Sequence, residues 1–285
     1  MMHRLRMTFL ALFVSILAIL LAFPEASNTS QAQPKAYLGY DLNEYPGDDA
    51  LPVLRKTFSF TSYWLSPPPG EKRTTWLGKR SLLQSQGFGF VVLFNGRASR
   101  DLKSLSAAKQ KGTLDGEDAS RLARQEGFPP RTTIFLDIEE GGRLSPAYHD
   151  YVNAWIDALA KANFRGGAYC SGMPVNDGGG KTITSAKDLQ DHLGARKLAL
   201  WVFNDACPPS PGCVFPQKPP PVAQSGTPDA VLWQFAQCPR RKQFTAACAA
   251  TYNADGNCYA PGDPAHKWFL DVNVANSPNP SAPRE

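Results

Sequence analysis

The stretch TIFLDIEE, Thr133 to Glu140, drives an apolar run of Ile134, Phe135, Leu136 and Ile138 straight into three carboxylates, Asp137, Glu139 and Glu140, followed by Gly141 and Gly142. Side chains alternate along a strand, so Asp137 and Glu139 share one face while Ile138 and Glu140 share the other. Two carboxyl groups crowded on one face do not ionise together, and one of them is expected to keep its proton toward neutral pH. A proton-bearing carboxyl beside an ionised one is the equipment of glycoside hydrolysis. The spacing therefore selects Asp137 and Glu139 as chemistry and leaves Glu140 outward or in the turn.

Other acids end or sit near the end of apolar runs: Asp41 in YLGYD, Asp205 in ALWVFND and Asp271 in WFLDVNV. A single acid in such a place serves equally as a helix cap or an arginine partner. Several of them meeting at one rim would repel one another, and repulsion of that kind is tolerated where it does work. Aromatics recur at similar positions, and sugar rings stack on aromatic faces while amides and phenols bind sugar hydroxyls. Tyr169, Trp233, Gln234 and Tyr63 are the expected substrate contacts, with core packing as the competing role for each aromatic.

These residues need a scaffold that gathers strand ends. Eight short apolar or β-branched runs bounded by Gly, Pro and Asn can be read: 37–41, 58–65, 88–95, 133–139, 166–171, 199–205, 230–236 and 268–274. Most are nearly continuous in apolar character, as strands covered on both faces are. Helical patterns over 75–86, 115–126 and 145–161 alternate with them, the last opening on Ser145-Pro146, a favourable N-cap and N1 pair. The expectation is an α/β chain folded as a (β/α)8 TIM-type barrel with parallel strands. Its last third is expected to be irregular, with cysteine-rich loops over 206–229 and 237–267 in place of outer helices. Active sites of such barrels form at the C-terminal strand ends, where Asp41 and Asp271 would be neighbours and the fourth strand would face them across the mouth.

The N-terminus has a basic start, Arg4 and Arg6, an apolar run from Met7 to Phe23 and a small-x-small site at Ser30-Gln31-Ala32. That is the pattern of a signal peptide over 1–32. The barrel domain is then expected over 36–275 and a flexible tail over 276–285. Six cysteines, Cys170, Cys207, Cys213, Cys238, Cys248 and Cys258, suit disulfides in an exported chain, with the connectivity open. No Cys-x-x-Cys pair or paired histidine motif supports zinc, and neither metal nor cofactor is expected. The formal charge is +5, and it drops to +4 without Arg4, Arg6 and Glu25. This mild, scattered excess lacks the basic and aromatic stripe that would indicate nucleic acid. The reading is of a secreted, periplasmic or cell-wall-associated monomer with no stable membrane insertion once the signal is cleaved.

The motifs GYD on the first strand, FLDIE on the fourth, GGAYCS on the fifth, WQF on the seventh and LDVN on the eighth come in that order. With FTSYWL, TWLGKR and DGEDASRLA, they resemble the glycoside-hydrolase-like TIM-barrel domain family of unknown function related to family 25 lysozymes, over roughly 37–276. The resemblance implies a mouth carrying Asp41, Asp137, Glu139 and Asp271. It also implies that Glu139 is the general acid and that the aspartates position substrate, water or an N-acetyl group. The expected activity is hydrolysis of an N-acetylhexosamine-containing glycan, with a polysaccharide or peptidoglycan as partner. The competing readings are a non-catalytic wall-binding module on the same barrel and, further off, a metal-dependent phosphodiesterase.

Overall fold

The computed structural model describes residues 35–204, 219–236, 268 and 270–283. They belong to a compact unit that begins at Pro34. Eight strands close into a barrel: β1 (Tyr37–Asp41), β2 (Phe60–Trp64), β3 (Gly89–Asn95), β4 (Thr133–Asp137), β5 (Arg165–Ser171), β8 (Ala199–Phe203), β9 (Ala230–Ala236) and β10 (Asp271–Ala275). Two further strands, β6 (Val175–Gly178) and β7 (Lys181–Ile183), form a separate hairpin after β5. Its tip is the Asn176 to Gly180 turn, where Gly178, Gly179 and Gly180 all have positive φ.

Helices cover the early crossovers. They are α1 (Leu51–Leu54), α2 (Arg80–Ser85), α3 (Leu105–Gln125), α4 (Pro146–Lys161) and α5 (Ser185–His192). The start of α4 forms as its sequence requires: Ser145 is the N-cap, its Oγ accepts from Tyr148 N at 3.2 Å, and Pro146 follows. The buried stripe Tyr148, Val152, Trp155, Ile156 and Leu159 is the face that packs inward. Helix α3 runs ten residues further toward the N-terminus than its pattern suggests, because Ser104 caps it and accepts from Ala107 N. The cysteine-rich loops expected over 206–229 and 237–267 lie largely outside the described residues. Only the short 3-10 turn Val222–Ser225 before β9 is seen.

One expectation of the barrel is corrected. Seven strands run parallel, from β1 through β5, β8 and β9, but β10 is antiparallel to both its neighbours, β1 and β9. Strand β9 ends at the mouth and β10 starts at the mouth, so the connection between them needs no crossover. The reversal puts the first residue of β10, not its last, at the rim, and Asp271 pairs with Asp41 across it.

Inside the barrel, size is matched across neighbouring strands. Gly39 pairs with Phe60 and Gly167 with Phe135. A Cβ on Gly39 would come within 2.1 Å of the Phe60 ring, and one on Gly167 within 2.5 Å of the Phe135 ring. The rings lie over bare backbone, which lets a narrow barrel hold two phenylalanines at its centre.

The segment 276–283, expected as a flexible tail, is instead seated across the bottom. Phe90 N donates to Asn279 Oδ1, Val92 N donates to Ser281 Oγ, and Thr133 N donates to the Ser281 carbonyl, each at 2.9 Å. Ser281 is 1% exposed. The antiparallel β10 delivers the chain to the bottom, where the N-terminal ends of β3 and β4 still have donors to satisfy. Ser281→Ala would orphan the buried Val92 N–H. It should cost about 1–3 kcal/mol in denaturant unfolding, whereas a tail with no structural part would leave the midpoint unmoved.

Candidate functional site

The mouth is built from one rung of the barrel plus the β1–β10 seam. Asn95, Asp137, Tyr169 and Trp201 are successive partners across β3, β4, β5 and β8. Facing them are the paired Asp41 and Asp271, with Asn273 one inward step below and Gln234 beside it on β9. Strand β4 stops at Asp137, so Glu139 stands in the turn above the strand and is exposed, whereas Asp137 is 5% exposed. All four expected acids, Asp41, Asp137, Glu139 and Asp271, line one pocket of about 250 Å³ together with Asn43, Trp64, Pro69, Leu93, Tyr169, Trp201 and Gln234. Among the described residues no Lys, Arg or His is in that lining. A second lobe of about 430 Å³ shares Pro69, Asp137 and Glu139 with the first and continues past Asn95, Arg97, Arg100 and Glu140. Glu139 thus stands where the two lobes join.

Burial and like charge control the protons here. Asp137 is held well above the ordinary carboxylate range, first by burial, then by the charge of Glu139 and a hydrogen bond with it, and last by Asp41. Among the described residues its Oδ2 has no donor. Asp41 is raised less, to about 6: burial lifts it, hydrogen bonds from Asn273 and Gln234 pull it down, and Glu139 adds a small upward push. Tyr169, in the middle of this negative field, is pushed well up by burial and then by all four acids. It stays a neutral phenol.

The sequence-derived contacts divide by strand alternation. Tyr169 and Gln234 line the pocket and are bonded to each other, the Tyr169 hydroxyl donating to Gln234 Oε1 at 2.9 Å. Trp233 and Tyr63 do not take part. Trp233 precedes Gln234 on β9, so it points out of the barrel; its indole donates to the Asn204 carbonyl at 2.8 Å and its ring packs on Phe235. Tyr63 likewise faces outward from β2, where it bonds Glu126 and packs among Trp76, Phe90 and Phe128. The aromatics that reach the pocket are their neighbours by alternation, Trp64 next to Tyr63 and Trp201 on β8. Asn273, the last residue of the LDVN motif, is a further polar member that the types alone did not mark. Asp205 lies outside the described residues. Glu140 faces away from the first pocket, its carboxylate accepting from Ser99 N at 2.6 Å.

Among the described residues one group of metal-capable side chains converges, His149, Asp188 and His192, and it lies outside the mouth. Its geometry does not suit an ion. The two imidazoles are stacked 3.7 Å apart and 9° from parallel, so their in-plane lone pairs run side by side. Asp188 is already taken by Leu144 N, Arg143 and His149. It ties the β4–α4 loop to α5, and Arg143 also grips Asp177 of the hairpin. Cys170 is a buried thiol in β5, pushed up to about 12 by burial and without a disulfide among the described residues; the other five cysteines lie outside them. No helix of the described residues is long and apolar enough to cross a membrane, and the expected signal over 1–32 lies outside them.

Comparison with known proteins gives the barrel its relatives. The chain carries a match to the Rv2525c-like, glycoside hydrolase-like domain over residues 73–207. It superposes on an uncharacterised B. stearothermophilus protein with a TM-score of 0.52 at 15% identity, covering 84% of this chain and 95% of that one. The Clostridium perfringens spore cortex lytic enzyme SleM matches with a TM-score of 0.50 at 14% identity, over 86% and 69%. The Mycobacterium tuberculosis Tat-secreted protein Rv2525c aligns at 17% identity over 86% and 97%, with a TM-score of 0.46. No curated protein matches. The family resemblance read from the motifs and the closed α/β barrel both stand.

The raised Asp41 makes a prediction about stability. A carboxyl whose folded value, about 6, lies above its ordinary value of 3.8 favours the fold below pH 4 and loses that contribution as pH rises through 6. Asp41→Asn keeps an oxygen for the two amide donors and removes the ionisation. Its stability relative to the native chain should rise between pH 4 and pH 7.5, by an amount on the order of 1–3 kcal/mol. Chemical denaturation at a series of pH values reads this, and a difference that is flat with pH would contradict the burial account.

Proposed function

We propose that this chain is an exported glycoside hydrolase acting on an N-acetylhexosamine-containing glycan of a cell wall or extracellular polymer, with peptidoglycan the first candidate. The observation that carries the reading is the buried, proton-retaining Asp137 beside Glu139 at the junction of two pocket lobes. A polymer threaded through both lobes would present a glycosidic oxygen to Glu139. The pair then gives up its shared proton to that oxygen as the carbon–oxygen bond breaks, and the positive charge developing on the sugar faces Asp41 and Asp271. Trp64, Tyr169 and Trp201 offer the stacking and hydroxyl-bonding surfaces a sugar ring needs. Asp41 or Asp271 would activate the attacking water or steady an acetamido group. Likeness to a spore cortex lytic enzyme supports a wall polymer as substrate, and the signal-like N-terminus supports export of a monomer that meets its substrate outside the cytoplasm. The four carboxylates of the mouth do not form a close set of ligand atoms, which weighs against the phosphodiesterase alternative.

The test is hydrolysis of purified wall glycans, read as new reducing ends, next to a pull-down on the same material. Glu139→Gln should lower turnover by about a hundredfold or more while leaving glycan retention intact. Retention by the native chain without any reducing ends would assign a wall-binding module instead. Trp201→Ala should weaken retention as well as turnover, since it removes a stacking surface; unchanged retention would remove Trp201 from the substrate path.

A further inference from the structure

We infer that Asn273 and Gln234 are positioning residues that keep Asp41 as the anion of the mouth, and that Trp201 fixes the direction in which the Asn273 amide faces. The catalytic consequence rests on the glycan-hydrolase reading; the arrangement of donors does not.

An indole N–H donates and cannot accept. Trp201 Nε1 lies 2.9 Å from Asn273 Oδ1, so the oxygen end of that amide is fixed, and Asn273 Nδ2 is left pointing at Asp41 Oδ2, 2.6 Å away. The second amide turns the same way because its oxygen end would otherwise face a carboxylate oxygen, and the Tyr169 hydroxyl can serve either end. The Tyr169 hydroxyl donates to Gln234 Oε1, and Gln234 Nε2 donates to Asp41 Oδ2 at 3.0 Å. Asn273 is 1% and Gln234 2% exposed, and Trp201 is 2% exposed, so packing holds these side chains in place. Two N–H groups converge on one carboxylate oxygen. They favour the ionised form, and a proton on that oxygen would meet two donors.

Glu139 pushes the other way by its charge, and Asp137 and Asp41 repel each other. Asp271 pairs with Asp41 from β10, Asp137 and Glu139 stand at the end of β4 and Tyr169 on β5; among the described residues no basic side chain lines this lobe. The two amides are therefore what opposes burial and repulsion at Asp41. At Asp137 the described residues place no amide donor on Oδ2, and its hydrogen-bonded neighbour is the acid Glu139. Neutral donors placed at one carboxylate and withheld from another sort a group of similar acids into an anion and a proton holder. Asp41 can then serve as base or charge stabiliser at a pH where the Asp137–Glu139 pair still has its proton to give.

The experiment is a carboxyl-carbon NMR titration of the folded chain with labelled aspartate, comparing the native protein with Asn273→Ala and Trp201→Phe. In Asn273→Ala the Asp41 midpoint should rise by on the order of one pH unit. In Trp201→Phe, where the amide is free to turn, it should rise by less. An unshifted Asp41 midpoint in either variant that keeps a cooperative unfolding transition overturns the inference. If Asn273→Ala does not fold, Trp201→Phe decides alone. The titration needs no substrate, so a protein that hydrolyses nothing leaves the result standing. If it does hydrolyse glycan, the acid limb of its pH profile should move up with Asp41 in Asn273→Ala, a displacement that a purely structural role for Asn273 would not produce.

Discussion

Among the described residues, four carboxylates share a pocket with no cation in its lining, and the rest of the mouth is arranged around that repulsion. Burial makes the anions of Asp41 and Asp137 unfavourable, and proximity makes a second anion worse than the first. The chain answers with neutral groups: a proton kept at Asp137, amides turned toward Asp41, and a phenol too far raised to ionise at Tyr169. Such a site is held at a cost to stability, which is the expected signature of a place kept for chemistry.

The barrel supplies the rigidity that this arrangement needs. Phenylalanine rings laid over Gly39 and Gly167 fill the centre, and the segment after β10 binds the lower ends of β3 and β4. The rim is braced separately. Arg97 holds Asp115 of α3 through two hydrogen bonds, and the Tyr148 hydroxyl of α4 donates to the Arg97 carbonyl, so the turn after β3 is fixed to two outer helices. Arg143 and Asp188 do the same for the turn that follows Glu140. A proton-sharing pair tolerates little displacement, and these braces stand on both sides of it.

Much of this was legible in the residues. The eight runs became the eight barrel strands with ends shifted by up to three residues, and the D-x-E spacing set Asp137 and Glu139 into one pocket. What misled was adjacency. Tyr63 and Trp64, or Trp233 and Gln234, stand side by side in the sequence, and alternation says that only one of each pair faces the barrel without saying which. The choice depends on twist and on a register shift between Val272 and Asn273, both set by neighbouring strands. Tyr63 and Trp233 accordingly went to the outer layer, while Trp64 and Gln234 reached the pocket.

The sequence by itself determined the number and order of the barrel strands, the Ser145 cap of α4 and the types of side chain at the strand ends, because these follow from local period, turn residues and hydrophobic pattern. Tertiary structure alone decided the direction of β10, the seating of the last residues beneath the barrel and the amide network around Asp41. Each of these depends on partners far apart along the chain, such as Asp41 with Asn273, 232 positions away, or Val92 with Ser281, 189 away. Only closure of the barrel brings such partners together, and only their contacts distinguish one carboxylate from the next.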